Sequence, residues 1–221
     1  MGFVDTIGLT AKITRPRTEA FLRRYATDKN VLDIGAGNDL YRSIFPNKKT
    51  LELNPRGDVD YVGNVEDMHM IPDETFDVVL LLGVLPHVKC PYKAVKEIHR
   101  ILKKGGLLLF SSAFVYPIND HPGDYWRFTE NGIRILFEDF TVETIEEQAN
   151  TMETLAVLFQ RIGFQCETRG GRWMKVWWFL LAKLFLACRG IIRKQYGDIG
   201  HKTVVSNIIA SAYHAALRKE A

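Results

Sequence analysis

Apolar runs four to seven residues long, separated by amphipathic stretches, set the rhythm of the chain as far as residue 150. Val31-Leu32-Asp33-Ile34 runs into Gly35-Ala36-Gly37 and then into polar residues. That order predicts a buried strand, a tight turn and a helix start, with the helix over Leu40–Phe45 ending at Pro46. Thr50–Leu53 is a short second strand, and Tyr61–Gly63 a weaker third. Phe76–Leu82 is nearly continuously apolar, as befits a strand buried on both faces. A helix fits Tyr92–Leu102, closed by Lys103-Lys104-Gly105-Gly106, and Leu107–Ser111 is the next buried strand. Thr129 can cap a helix to about Phe137, and Thr141–Glu147 alternates like a more exposed strand. A helix through Arg15–Ala26 precedes this series. Strands alternating with helices predict an α/β fold, a mostly parallel sheet with helices on both faces.

Beyond Asn150 the rhythm changes. Met152–Ile162 has a helical pattern, Trp173–Lys194 a longer one, and the tail Ser211–Arg218 fits a strand or a helix equally well. One domain over 1–221, with 150–205 as a helical insertion, suits the 221-residue length. Cys90, Cys166 and Cys188 form no Cys-x-x-Cys, which argues against a disulfide framework or zinc site and for a reducing, cytoplasmic setting. No basic segment followed by an apolar run opens the sequence, so no secretory signal is expected. Net charge is +3, but every charged residue between Glu167 and Asp198 is basic: Arg169, Arg172, Lys175, Lys183, Arg189, Arg193 and Lys194. Setting those seven aside leaves −4, so the basic character is local.

The glycine turn is where chemistry is expected first. Glycine lets a ligand approach the backbone closely, and a helix start offers free N–H groups, so a small anionic or zwitterionic guest fits. Glu52, at the end of the second strand, can accept two hydrogen bonds from a ribose diol. Position 40 is Leu where a dinucleotide fingerprint needs glycine, and no phosphate loop of the Gly-x-x-x-x-Gly-Lys type occurs, which argues against NAD, FAD and nucleoside triphosphate hydrolysis.

Taken together, Val31–Gly37, Glu52, Gly63-Asn64-Val65-Glu66-Asp67, Phe76-Asp77-Val78-Val79 and Glu97–Gly106 resemble a class I S-adenosylmethionine-dependent methyltransferase of the type 11 kind. The similarity covers roughly residues 28–147. It implies a Rossmann-like seven-stranded sheet whose last strand is antiparallel, which makes Ser211–Arg218 a strand. It further implies that Asp33, Gly35 and Gly37 hold the methionine part of the cofactor and Glu52 its ribose. Asn64, Val65 and Glu66 would border the adenine, and Leu82 and Gly83 line the floor. Asp39 and Asn64 depart from the family pattern, standing where a glycine and an aspartate are common; a non-catalytic cofactor-binding module is the alternative this raises.

The segment Tyr116–Thr129 follows the fifth strand, where open α/β sheets carry substrate-facing loops. Its His-x-x-Asp-Tyr-Trp-Arg core resembles methyltransferases linked to bacterial glycan assembly. His121, Asp124, Tyr125 and Arg127 are therefore expected at a small-molecule or glycan-like acceptor, or else to brace a lid through an internal Asp124–Arg127 pair. O-methylation would use a base, for which His121 and His87 are the candidates.

On a helical projection of Trp173–Lys194, Trp173, Trp177, Leu180, Leu181, Leu184 and Ile191 share one side, and Lys175, Lys183, Arg189 and Arg193 the other. The run is too short to span a bilayer. It suits a helix lying on the inner membrane face, where the acceptor could be lipid-linked or a quinone or lipid itself; burial on the domain or in a homodimer is the other reading. Nucleic acid is not expected, since the segment offers aliphatic bulk in place of interleaved aromatics.

Overall fold

The computed structural model describes residues 10–37, 40–54 and 57–220. Nine strands and five α-helices occur among them: α1 (Arg15–Arg23), β1 (Val31–Ile34), β2 (Lys48–Glu52), β3 (Tyr61–Val62), β4 (Phe76–Leu82), α2 (Pro91–Ile101), β5 (Leu102–Ala113), α3 (Glu130–Leu136), β6 (Phe140–Glu147), α4 (Thr151–Gln165), α5 (Gly171–Ala187), β7 (Gln195–Tyr196), β8 (Val204–Val205) and β9 (Ala212–Lys219). The chain divides into two compact units. One comprises residues 18–113, 118–146 and 213–221; the other comprises 1–17, 114–117 and 147–212.

The first unit carries the sheet, in the order β3-β2-β1-β4-β5-β9-β6. β1 pairs in parallel with β2 and β4, and β4 with β5. β9 is the antiparallel strand. The residues just after β5 and just before β9 pair in opposite order, Phe114 and Val115 donating to the carbonyls of Ser211 and Ala210. This is the Rossmann-like arrangement expected, and the tail resolves as a strand.

Alternation along β1 and β4 gives each face of the sheet its own core. Val31, Val78, Leu80, Leu107 and Leu109 pack with Phe21 and Leu22 of α1 and with Ile44 and Phe45. Ala94, Val95, Ile98 and Ile101 are the buried stripe of α2. Each fully buried Leu, Ile or Phe contributes about 1.5–3 kcal/mol, so these central strands, buried nearly throughout, anchor the fold.

Two expectations fail here. No helix covers Leu40–Phe45; the segment is a series of turns in which Ile44 and Phe45 donate to the carbonyl of Tyr41. Burying Ile44 and Phe45 satisfies the same apolar spacing without a helix, and Pro46 leaves no length for one. The Lys103–Gly106 stretch does not follow α2 as a separate stop. It is the bulged start of β5, where pairing passes from Phe76–Leu102 directly to Val78–Leu107.

In the second unit α4 begins with a reciprocal cap. Asn150 accepts from the Glu153 N–H and Glu153 from the Asn150 N–H, each at 3.0 Å. Arg17 reaches the Glu153 carboxylate and the Gln148 carbonyl. α4 and α5 pack through Phe159 against Trp178 and Phe185, and through Phe164 against Phe179, whose ring lies over Gly163. β7 and β8 form a small antiparallel hairpin. Because α5 ends at Ala187, Ile191, Arg189 and Arg193 lie beyond it and do not extend its faces.

Candidate active site

A cavity of about 620 Å³ opens at the carboxyl ends of β1–β4, the place where a doubly wound sheet receives ligands. Ile34 and Gly35 follow from β1, Glu52, Leu53 and Asn54 from β2, Gly63–Glu66 from β3, and Leu82–Val84 from β4. His87, Val88, Lys89, Asp120 and Tyr125 complete the wall.

The turn after β1 is built for close approach. Gly35 has φ +71°, a left-handed conformation that glycine alone adopts at no cost, and its N–H donates to the Leu51 carbonyl at 2.9 Å. A Cβ at this position would sit 2.6 Å from Cγ2 of Val84. The N–H of Gly37 donates to Oε1 of Glu52, itself on the cavity wall, at 2.6 Å. The glycine turn and the acid closing β2 thus meet at one site. Asn38 and Asp39 lie outside the described residues, and the expectation attached to Asp39 with them.

The far wall is held from behind. Asn64 accepts from the Glu66 N–H at 3.0 Å and donates to the Glu66 carboxylate, whose other oxygen accepts from the Cys90 N–H at 2.6 Å. Arg100 of α2 binds the carbonyls of Met68 and Ile71 and the carboxylates of Asp73 and Glu97. Glu97 in turn accepts from the Met68 N–H at 2.7 Å. Arg100 holds the Glu97 carboxyl below its ordinary range. The Glu97–Gly106 motif therefore acts by fixing the loop that carries Asn64, Val65 and Glu66.

The loop at 119–127 is stapled to the short 3₁₀ turn Leu85–His87 and the residue after it. Tyr125 N–H donates to the Pro86 carbonyl at 2.7 Å, and Trp126 Nε1 to the Val88 carbonyl at 2.9 Å. Nδ1 of His87 lies 2.7 Å from the Gly123 carbonyl. A carbonyl only accepts, so Nδ1 carries a proton there, and Nε2 is the ring nitrogen not engaged by this bond.

Sequence-assigned residues separate into two groups. Gly35, Glu52, Asn64, Val65, Glu66, Leu82, Gly83, His87 and Tyr125 come together on the cavity wall, and Gly37 reaches it through Glu52. Asp33 does not: its carboxylate is buried behind the turn, 2.6 Å from Nζ of the equally buried Lys48. His121, Asp124 and Arg127 are also off the wall. Asp124 and Arg127 form a two-pronged ion pair, and Asp124 accepts from the Asn119 N–H as well, so the internal brace is what the structure contains. Arg127 holds the Asp124 carboxyl down at about 2. Asp120 and Lys89, which the sequence reading passed over, do line the cavity. Only the density of polar residues in this loop marked Asp120.

These residues fit an S-adenosylmethionine-sized guest. The volume lies within the range of small-molecule sites. The lining includes a carboxylate suited to a diol, Glu52, an amide, Asn64, and the apolar Leu53, Val65, Val84 and Val88. The backbone at Gly35 comes to the surface where any side chain would clash.

A family model described as a methyltransferase domain matches residues 32–110. Among solved structures, the chain is similar to the YcgJ protein of Bacillus subtilis, with TM-score 0.55, 13% identity, and coverage of 94% of this chain and 99% of that one. An S-adenosylmethionine-dependent methyltransferase of Methanosarcina mazei gives TM-score 0.51, 14% identity and coverage of 90% and 97%. The [4+2]-cyclase SpnF gives TM-score 0.53, 16% identity and coverage of 94% and 80%. At such identities the likeness speaks to the fold, which carries more than one chemistry. No curated protein sequence matches.

Proposed function

We propose that this S-adenosylmethionine-dependent methyltransferase moves its methyl group to an oxygen of a small-molecule or glycan-like acceptor entering beside Tyr125. The reading rests on one observation: the glycine turn, the β2 carboxylate and a histidine with a fixed ring face a single cavity. The bound cofactor would supply an electrophilic sulfonium methyl. What the chain adds is placement, which can account for much of the acceleration when two reactants are aligned.

In this reading Glu52 accepts from the ribose hydroxyls, Asn64, Val65 and Glu66 border the adenine, and Leu82 and Gly83 form the floor. Gly35 lets the backbone come close to the methionine part. Asp33 supports that turn from behind through Lys48. Nε2 of His87 is the base that takes the proton of an acceptor hydroxyl, while Nδ1 stays anchored on Gly123. Tyr125 and Asp120 bring a phenol and a carboxylate to the rim, groups that suit a polyhydroxylated acceptor. A quinone or lipid acceptor is the second reading, favoured by the exposed Trp173 and Leu184 on α5.

Incubation with methyl-labelled S-adenosylmethionine and a panel of sugars, glycan fragments and quinols tests it. The expected result is label on an acceptor oxygen, with Tyr125→Ala raising the acceptor KM and leaving cofactor affinity unchanged. Label confined to nitrogen or carbon would contradict the assignment.

A further inference from the structure

α5 presents an apolar face that no described residue of its own unit covers. Trp173, Trp177, Leu180 and Leu184 recur at intervals of four, three and four, so they lie one above another along a single face. Trp173 is 78% exposed, Trp177 55% and Leu184 56%. The opposite face is committed: Phe179 and Ala182 are buried, and Trp178 and Phe185 pack on Phe159. The exposed stripe is therefore not left over from a helix lacking an interior side. It is a second apolar face on a helix whose first is satisfied.

We infer that this face docks in the plane of an anionic phospholipid bilayer. Charge selects the occupant. From Arg169 to Lys194 the chain carries seven basic residues and no acidic one, and Arg169, Arg172, Lys175, Arg189, Arg193 and Lys194 are all exposed. They lie within the helix and just beyond both its ends, where they can meet headgroup phosphates while tryptophan and leucine enter the acyl boundary. A second copy of the chain fits worse. A two-fold contact through the stripe would bring the same uniformly basic segment of each copy together, with no acid to offset it. Crossing the bilayer is not what the helix does: no helix among the described residues is long and apolar enough.

Co-sedimentation of the whole protein with vesicles tests this, using phosphatidylcholine alone and phosphatidylcholine with roughly one third phosphatidylglycerol. Binding is expected with the anionic vesicles, at least ~10-fold weaker with the neutral ones, and several-fold weaker near 1 M salt, where headgroup attraction is screened. The double substitution Trp177→Glu, Leu184→Glu should lower binding to the anionic vesicles by at least ~10-fold. Both side chains are exposed, so its thermal midpoint should match the parent's, which separates lost docking from lost folding. Equal partition onto both vesicle types would overturn the inference. So would no binding to either, or a dimer in solution that the double substitution dissociates.

Discussion

Gly37 donates its backbone N–H to Oε1 of Glu52 across 2.6 Å, joining the turn after β1 to the end of β2. The two residues are 15 apart in sequence, and parallel pairing of β1 with β2 in the register Val31–Lys48 to Ile34–Leu51 brings them together. The carboxylate is thereby held at the cavity, where a diol can add to or replace the bond to Gly37. The geometry of this site is a property of the sheet register before it is one of any single side chain.

Gly35→Ala should damage both fold and site. The new methyl group meets Val84 Cγ2 at 2.6 Å in a backbone conformation that alanine disfavours. A loss of about 1–3 kcal/mol is expected in denaturant unfolding, together with weaker cofactor binding. Val84→Ala on top of it should recover the steric part alone.

Lys48→Met should be among the most destabilising single changes outside the apolar core. It leaves the buried Asp33 carboxylate without that cation, at a cost of about 3–5 kcal/mol. Replacing both residues with apolar ones of similar volume should cost less, since no buried carboxylate then loses its lysine. Urea midpoints of the two single and one double variants decide this.

His87→Asn keeps a donor that can reach Gly123 but removes the Nε2 lone pair. With a hydroxyl acceptor, kcat should fall by about 10²–10⁴-fold while the thermal midpoint holds. His121→Ala should leave turnover unchanged, since His121 does not line the cavity.

Asp124 gives a pH signature. Its carboxyl is held down at about 2, first by the Arg127 guanidinium and then by the Asn119 N–H. The folded value lies below that of an unfolded aspartate, about 3.9, so the pair's stabilisation is present above that pH and is lost as pH falls toward 2. Asp124→Asn should cost on the order of 2 kcal/mol near neutrality, and the gap to the parent should close on acidification through this window. Thermal melts of both proteins across it provide the check.

The strands buried on both faces were legible to the residue. Val31–Ile34 and Phe76–Leu82 begin and end where the apolar runs do, each run interrupted by a single aspartate. Leu40–Phe45 was not, because six residues with apolar positions four and five apart fit a helix or a chain of turns equally. Within the site, Glu52 could be placed from its position at the end of β2, whereas His87, in the turn beyond β4, was pointed to by the family resemblance alone. The pairing of Asp33 with Lys48 could not be read: Lys48 stands at the start of another strand, and spacing along the chain says nothing of register. The loop 119–127 advertised its importance by composition, yet which of its polar groups turn inward depends on the Asp124–Arg127 pair, which removes both from the wall.

Titration calorimetry of S-adenosylmethionine into the parent protein and Glu52→Ala is the most direct measurement of whether turn and carboxylate hold one methyl donor. Binding is expected to the parent at a Kd of about 1–100 μM, and at least ~10-fold weaker to the variant, with thermal midpoints matched. An isotherm unchanged by the substitution, or no heat from the parent at all, would contradict it.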